Sequence, residues 1–535
     1  MALDFPFELP IVSKCSVHLT GAILGSPRRK TRGGSMSKPT LRRILLVAVF
    51  LCGLASVSLP PLANPPEGTE AARRLAARAL GPTPLFDDLK ELCDRIGGRP
   101  PGSKANERAV DWAVEKFRAA GMNSVGVENF SLPAVWQSRK AEAECVSPEE
   151  FSLRLATAPS SASTPGLSLE APLVDVGEGS AEDFTRAGAR ARGAIALVRS
   201  REMKTTEDLF GEYLRNAPLL EAAQKAGVAA LLLQSTRPRG LLYRHPLTFD
   251  GSITPIPTAI VAREPAARLA RLAEKGPVRV RLTLANETRG PQDSRNVVAE
   301  IRGREKPEEI VLLGAHLDSW DLGTGAEDNG VNCALVIDTA RAFKELGLVP
   351  RRTVRLVLFN GEESGMLGSA AYVQRHAAEI GRHVAMITFD TGSGKTSGFY
   401  LNGRAELRPP VNQALAAAAL GATDHSLEGL DGTDNFDFLL SGIPNLVAKQ
   451  DWDPYLPNYH AESDVVDWVN EREARANAAI AAALVWGLAE RPDPPAPRQS
   501  RAEVERLLKD THLDEQMKAF RQWDAWAAGK RGVSQ

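Results

Sequence analysis

From Asn296 onward the chain alternates short, almost wholly apolar runs with stretches of helical periodicity. In order these are EIVLLGAH, a helix over Cys333 to Leu346, TVRLVLFN, a helix over Leu367 to His376, HVAMITFD, a helix over Val411 to Leu420, and IPNLVAK. Strand followed by helix, repeated, predicts an α/β fold with a mostly parallel central sheet and helices on both faces. Ligands of such sheets collect beyond the carboxyl ends of the strands. Upstream, Val110, Ala113, Val114 and Phe117 fall at i, i+3, i+4 and i+7, and Gly121 stands where a helix stop belongs. The segment from Leu85 to Phe130 therefore predicts two helices and then a strand near Val125 to Val127. Between 141 and 290 the texture changes: LVDVG, GAIALVRS, VAALLLQS, PTAIVA and VRVRLTL alternate with Ala/Glu/Lys-rich stretches. That pattern predicts a smaller β-rich α/β module inserted into a larger domain, itself split over 70–140 and 291–490.

The two ends follow other patterns. Residues 36–63 place Arg42 and Arg43 before an apolar run of 16 residues, Ile44 to Leu59, followed by small residues and prolines, the order of a secretory signal peptide. A spanning helix wants about 20 residues, so the run reads as a cleaved leader that leaves no stable membrane span. The 35 residues before Met36 fit no leader design, and translation is expected to start at Met36. Phe50 and Leu51 precede Cys52 where a lipoprotein would carry small residues, which argues against lipidation. The product is expected outside the cytoplasm, in the periplasm or cell envelope or secreted. Residues 64–68 and the Pro-rich 491–497 read as linkers, and the charged stretch 500–528, with Leu507, Leu508, Trp523 and Trp526, as a terminal amphipathic helix packed on the body.

Composition narrows the function. Hydrophobic residues at 43% and charged residues at 24% allow a large buried core. Lys+Arg (65) nearly cancel Asp+Glu (66), which argues against a nucleic-acid partner, since such proteins carry a basic excess. None of the five cysteines forms a C-x-x-C pair, so neither a disulfide scaffold nor a cysteine-ligated zinc is expected.

The chemistry sits at the predicted strand ends. His316 and Asp318 end one strand, a glycine-rich loop then presents Asp328, Glu362 and Glu363 end the next, Asp390 ends a third, and His460 follows the loop after IPNLVAK. One strand-end histidine or carboxylate is ordinary structure. Five groups of metal-ligand type (His316, Asp328, Glu363, Asp390, His460) at one edge, with no lysine or arginine in the same motifs, need a cation to be tolerated together. Two divalent cations against three carboxylates and a bridging hydroxide balance to zero charge. The mixed imidazole and carboxylate set suits two Zn²⁺, with Co²⁺ or Mn²⁺ able to substitute. Asp328 is placed to bridge them. Asp318, two residues after His316, can turn its side chain back to the imidazole N–H and fix the tautomer. Adjacent Glu362 and Glu363 cannot aim the same way; with Glu363 on a metal, Glu362 is free to act as general base.

These motifs resemble peptidase family M28, co-catalytic zinc exopeptidases, and within it the carboxypeptidase Q-like branch. The resembling segments are GAHLDSWDLGTGAEDNG (314–330), FNGEESGMLGSAAY (359–372), ITFDTGSG (387–394), PNYHAESDVVDW (457–468) and the upstream IGGRPPGSKANERAVDW (96–112). The resemblance implies the same five ligands, Asp328 as bridge, Glu362 as catalytic base and Asp318 behind His316. It implies a protease-associated character for the insert, recognition of a free terminal amine, and a peptide or dipeptide substrate. GTDNFDF (432–438) departs from the family's Ser-Asp-His-x-Pro-Phe pattern at Thr433, Asn435 and Asp437, which bears on substrate preference rather than on the metal site. The expected activity is aminopeptidase hydrolysis; a dipeptidase or carboxypeptidase of the same fold, a glutaminyl cyclase and a non-catalytic binding protein are the alternatives. Trp320, Trp452, Tyr455 and Tyr459 are candidates for a rim around the cleft. Gly394-Lys395-Thr396 imitates the end of a phosphate-binding loop, but Phe389 stands where its first glycine belongs. Ser364 sits one place too late for a serine-hydrolase elbow.

Overall fold

The computed structural model describes residues 67–533, so the leader and the start at Met36 lie outside the described residues. A seven-stranded sheet runs in the order Ser124–Leu132, Gln292–Ile301, Arg352–Phe359, Lys306–His316, His383–Thr388, Asn445–Lys449, Gly398–Tyr400. The four strands from Arg352–Phe359 to Asn445–Lys449 pair in parallel and the outer ones are antiparallel, giving the α/β architecture that the repeating strand and helix runs predict.

Winding fixes where the site lies. The chain lays down Lys306–His316 first, places Arg352–Phe359 on one side of it, then returns to place His383–Thr388 on the other. With right-handed crossovers this reversal puts the intervening helices on opposite faces and opens a crevice at the carboxyl ends of the strands. Alternate residues of the central strand divide accordingly. Val311, Leu313 and Ala315 pack with the helices Val331–Glu345 and Glu471–Glu490, whereas Ile310 and Leu312 pack with Tyr372 and Val373 of Leu367–Arg375 and with Phe438. Burial on both faces explains why these strands read as unbroken apolar runs.

A second, eight-stranded sheet is built from residues between 135 and 289. Its long antiparallel pair, Val135–Ser147 with Arg279–Arg289, carries the chain in and out side by side. Leu169–Asp175, Ile195–Val198, Ala230–Gln234 and Thr258–Val261 form a parallel centre. This sheet has apolar cores of its own on its two faces.

The terminal stretch 500–528 corrects an expectation: in place of one amphipathic helix there are three short ones, Arg501–Asp510, Leu513–Ala519 and Trp523–Ala527. His512 and Arg521 take left-handed backbone, each at φ 60. The apolar step from Leu508 to Leu513 is five residues, off the roughly 3.6-residue period, so a continuous helix would have turned one of them to solvent. Broken in this way, Val504, Leu507, Leu508, Leu513, Met517 and Trp526 all bury against Phe436, Leu439 and Leu440. Among the described residues no helix is long and apolar enough to cross a membrane.

Candidate metal centre

Each of the five candidate ligands leaves the end of an inner strand or the loop beside it, and all five are buried. His316 is the last residue of its strand, Glu362 and Glu363 follow Arg352–Phe359, Asp390 follows His383–Thr388, and the loop after Asn445–Lys449 delivers His460. They form two triads sharing one member. His316 Nε2 lies 2.8 Å from Asp390 Oδ1 and 3.1 Å from Asp328 Oδ1. His460 Nε2 lies 2.9 Å from Glu363 Oε2 and 3.2 Å from Asp328 Oδ2. Asp328 thus turns one oxygen to each triad, and each triad has the spacing of a metal site. Glu362 stands apart, its Oε2 4.0 Å from His316 Nε2.

The electrostatics fit a cation. Among the described residues no lysine or arginine forms an ion pair with Asp328, Glu362, Glu363 or Asp390; histidine is their only cationic neighbour. Glu363 Oε1 is buried without a hydrogen-bond partner. Burial pushes Glu363 up to about 7 against the pull of His460, and drives Glu362 well above the usual carboxylate range. Burial alone would lower both histidines, but Asp390 and Glu362 overcome it at His316, and Glu363 and Asp328 raise His460 to about 9. Desolvation opposes ionisation of Asp328 too, yet the two imidazoles hold it well below its ordinary value. The cluster keeps protons where a dication would replace them.

Both imidazoles are oriented by main chain. His316 Nδ1 faces the Asp318 carbonyl at 3.0 Å, and His460 Nδ1 faces the Arg244 carbonyl at 3.1 Å. A carbonyl only accepts, so each Nδ1 donates and Nε2 is the nitrogen turned to the carboxylates, protonated in the metal-free cluster and free to offer its lone pair once an ion replaces that proton. Here the structure differs from the expectation for Asp318. Its carboxylate stays 3.9 Å from His316 Nδ1 and accepts instead from the backbone N–H groups of Glu362 (3.3 Å) and Glu363 (3.1 Å). An extended i to i+2 step puts the carbonyl nearer the ring than the side chain, while two amide donors satisfy a fully buried carboxylate.

Three supporting residues escaped the sequence reading. Arg99, fully buried, donates to the carbonyls of Leu317 (2.6 Å), Thr324 (2.7 Å) and Gly325 (2.9 Å), closing the loop that presents Asp328. Asp464 accepts from the N–H groups of Glu327 (2.7 Å) and Asp328 (3.2 Å), and Glu327 accepts from the Ser393 hydroxyl at 2.7 Å. All three lie within the segments that carry the family resemblance, but no local pattern distinguishes them from surface charges.

The triads line one end of a cleft that is continuous with solvent. Leu209, Phe210, Tyr213 and Phe249 of the second-sheet segment, Met366 of the body and Phe520 of the C-terminal helices contribute its apolar wall. Trp452, Tyr455 and Tyr459 line it as expected, whereas Trp320 is packed edge-on against His460, 6.1 Å between ring centres, away from this cavity. Thr433 lines it as well, and Asp437 turns away into a two-pronged pair with Arg531, both contacts 2.9 Å.

The profile of peptidase family M28 matches residues 296–485, the stretch that supplies all five clustered residues. Over this segment the chain is similar to peptidase family M28. Similarity to known proteins extends well beyond it. Carboxypeptidase Q of Mus musculus is 28% identical over 433 residues, 80% of this chain and 90% of that protein. Aminopeptidase YwaD of Bacillus subtilis is 24% identical over 494 residues, 88% of this chain and 99% of the relative. The crystal structure of a peptidase M28 precursor from Shewanella amazonensis superposes with a TM-score of 0.73 at 28% identity, covering 81% of this chain and 99% of that one.

Proposed function

We propose that the chain is an exported aminopeptidase that hydrolyses N-terminal peptide bonds, with one zinc ion held by His316, Asp328 and Asp390 and a second by Asp328, Glu363 and His460. The observation that carries this reading is the pair of triads joined through Asp328, with Glu362 beside them and outside both. Bound there, two zinc ions would supply Lewis-acid polarisation of the scissile carbonyl and make water a nucleophile near neutral pH. Glu362 Oε2 takes the proton of the attacking water and returns it to the leaving amine, a shuttle suited to a carboxylate that stands beside both triads and belongs to neither. Asp318, bonded to both amides of the Glu362-Glu363 turn, aims the two carboxylates in their separate directions. The aromatic wall excludes water and receives an apolar side chain. Residues 135–289 act in this reading as a protease-associated-like module that shapes access to the cavity. Export rests on the leader-like order of 36–63, and the aminopeptidase reading is supported by the likeness to YwaD.

The test is a panel of aminoacyl chromogenic substrates, their N-blocked equivalents and dipeptides, assayed with metal analysis of the same protein. Cleavage of the free-amine substrates, lost with chelator, is expected. Cleavage of blocked substrates alone would overturn the aminopeptidase reading in favour of a carboxypeptidase.

A further inference from the structure

His460 differs from His316 in where its orientation comes from. The carbonyl that fixes His316 is two residues away, whereas the one that fixes His460 belongs to Arg244, inside the second-sheet segment. This contact is one rung of a short ladder. Arg244 N–H donates to the His460 carbonyl at 2.9 Å, Tyr243 pairs antiparallel with Ala461, and Glu462 N–H donates to the Leu242 carbonyl at 3.0 Å. Leu242 N–H in turn reaches Glu462 Oε1 at 3.1 Å. His460 itself sits in left-handed backbone, φ 57, a conformation that an L-residue keeps only where its surroundings impose it. The face of its ring is covered by Tyr459, 3.7 Å between ring centres, whose hydroxyl bonds Tyr213 of the same segment at 2.6 Å.

The Arg244 side chain anchors the ladder. Its guanidinium is buried and makes a fork to Asp321 (Nε 2.7 Å, Nη2 3.0 Å) while Nη1 donates to the Thr157 carbonyl at 2.6 Å. It therefore joins both sheets' segments at a point where the second presents a carbonyl to a candidate ligand. Resting on the dinuclear reading above, we propose that Arg244 is a positioning residue for the metal subsite Asp328–Glu363–His460: its main chain sets the His460 tautomer, and its guanidinium holds that main chain in place. The second-sheet segment then does more than wall the cavity, because its docking decides whether His460 offers Nε2 to an ion. Outer partners of metal-bound histidines are typically worth about 10–100-fold in metal affinity.

The experiment is a titration of the metal-stripped full chain with Co²⁺, followed by calorimetry and visible absorption, in wild type, R244A, R244K, D321A and H460A. Wild type is expected to show two binding events, and H460A identifies the event lost with that subsite. R244A and D321A should weaken that same event about 10–100-fold and leave the other within a factor of two or so, with R244K in between. D321A carries the test by itself should R244A fail to fold. An unchanged His460-dependent event in a folded variant overturns the proposal, as does equal weakening of both events, which marks a general structural role. One event in wild type overturns the dinuclear reading itself, and this inference with it.

Discussion

Glu362 and Glu363 are neighbours in sequence, and the structure separates them by partner: Glu363 joins His460 in a triad while Glu362 stays outside both. Glu362→Gln is therefore expected to retain bound metal and to lower kcat by about 10²–10⁴; a near-normal rate in single-substrate kinetics, with metal content unchanged, would remove its role as base. His316→Ala should instead lower the metal content itself, read by elemental analysis after dialysis. A further residue-scale effect lies away from the site. His383 is buried beside Tyr372, and burial, reinforced by Arg355, pushes its pKa down to about 3. An unfolded chain protonates this side chain near 6.5 and the folded one does not, so the contribution to stability is complete above about 6.5 and is lost as pH falls toward 3. Urea melts at stepped pH should show a decline of up to about 1.4 kcal/mol per pH unit from this group, and His383→Gln should flatten it.

At the scale of elements, the turn that carries Glu362 is packed from two directions. Gly365 lies at φ 111, and a Cβ there would meet the Phe249 carbonyl oxygen at 2.0 Å, so only glycine allows the second-sheet segment this close. Gly365→Ala is expected to cost about 1–3 kcal/mol of stability and to lower kcat by displacing the turn, checked by thermal melts and kinetics on one preparation. From the other side the terminal segment supplies Arg531, which bonds Asp437 with both prongs and also reaches the Gly365 carbonyl at 3.3 Å. Asp437 is fully buried, so R531A strands a charge and should destabilise by about 3–5 kcal/mol. Replacing both, as D437N with R531M, should recover most of that loss in equilibrium unfolding. The terminal segment thus packs on the body, as three short helices where its apolar spacing suggested one.

For the whole molecule, the two triads gather three carboxylates and two imidazoles from four strand ends into one desolvated place. An ion that binds only the folded state stabilises it by mass action, by about 2.7 kcal/mol at a free concentration one hundred times its Kd. Chelation is accordingly expected to lower Tm and Zn²⁺ to restore it, and H316A should lose part of this response; calorimetry that shows no dependence on metal would speak against a resident ion.

The sequence by itself determined the strand and helix runs, because burial on both faces of an inner parallel sheet leaves an unmistakable apolar signature. It singled out the five clustered residues as candidates as well, because each stands at the end of such a run or in the loop that follows it. Local spacing also made the His316–Asp318 partnership legible, though not which atom of Asp318 serves it. Only the tertiary structure decided that Asp328 offers one oxygen to each triad, that Arg99 closes the loop behind it, and that the carbonyl orienting His460 comes from Arg244, 216 residues earlier in the chain. A backbone carbonyl is the same at every position of every sequence, so what it faces is settled by packing alone.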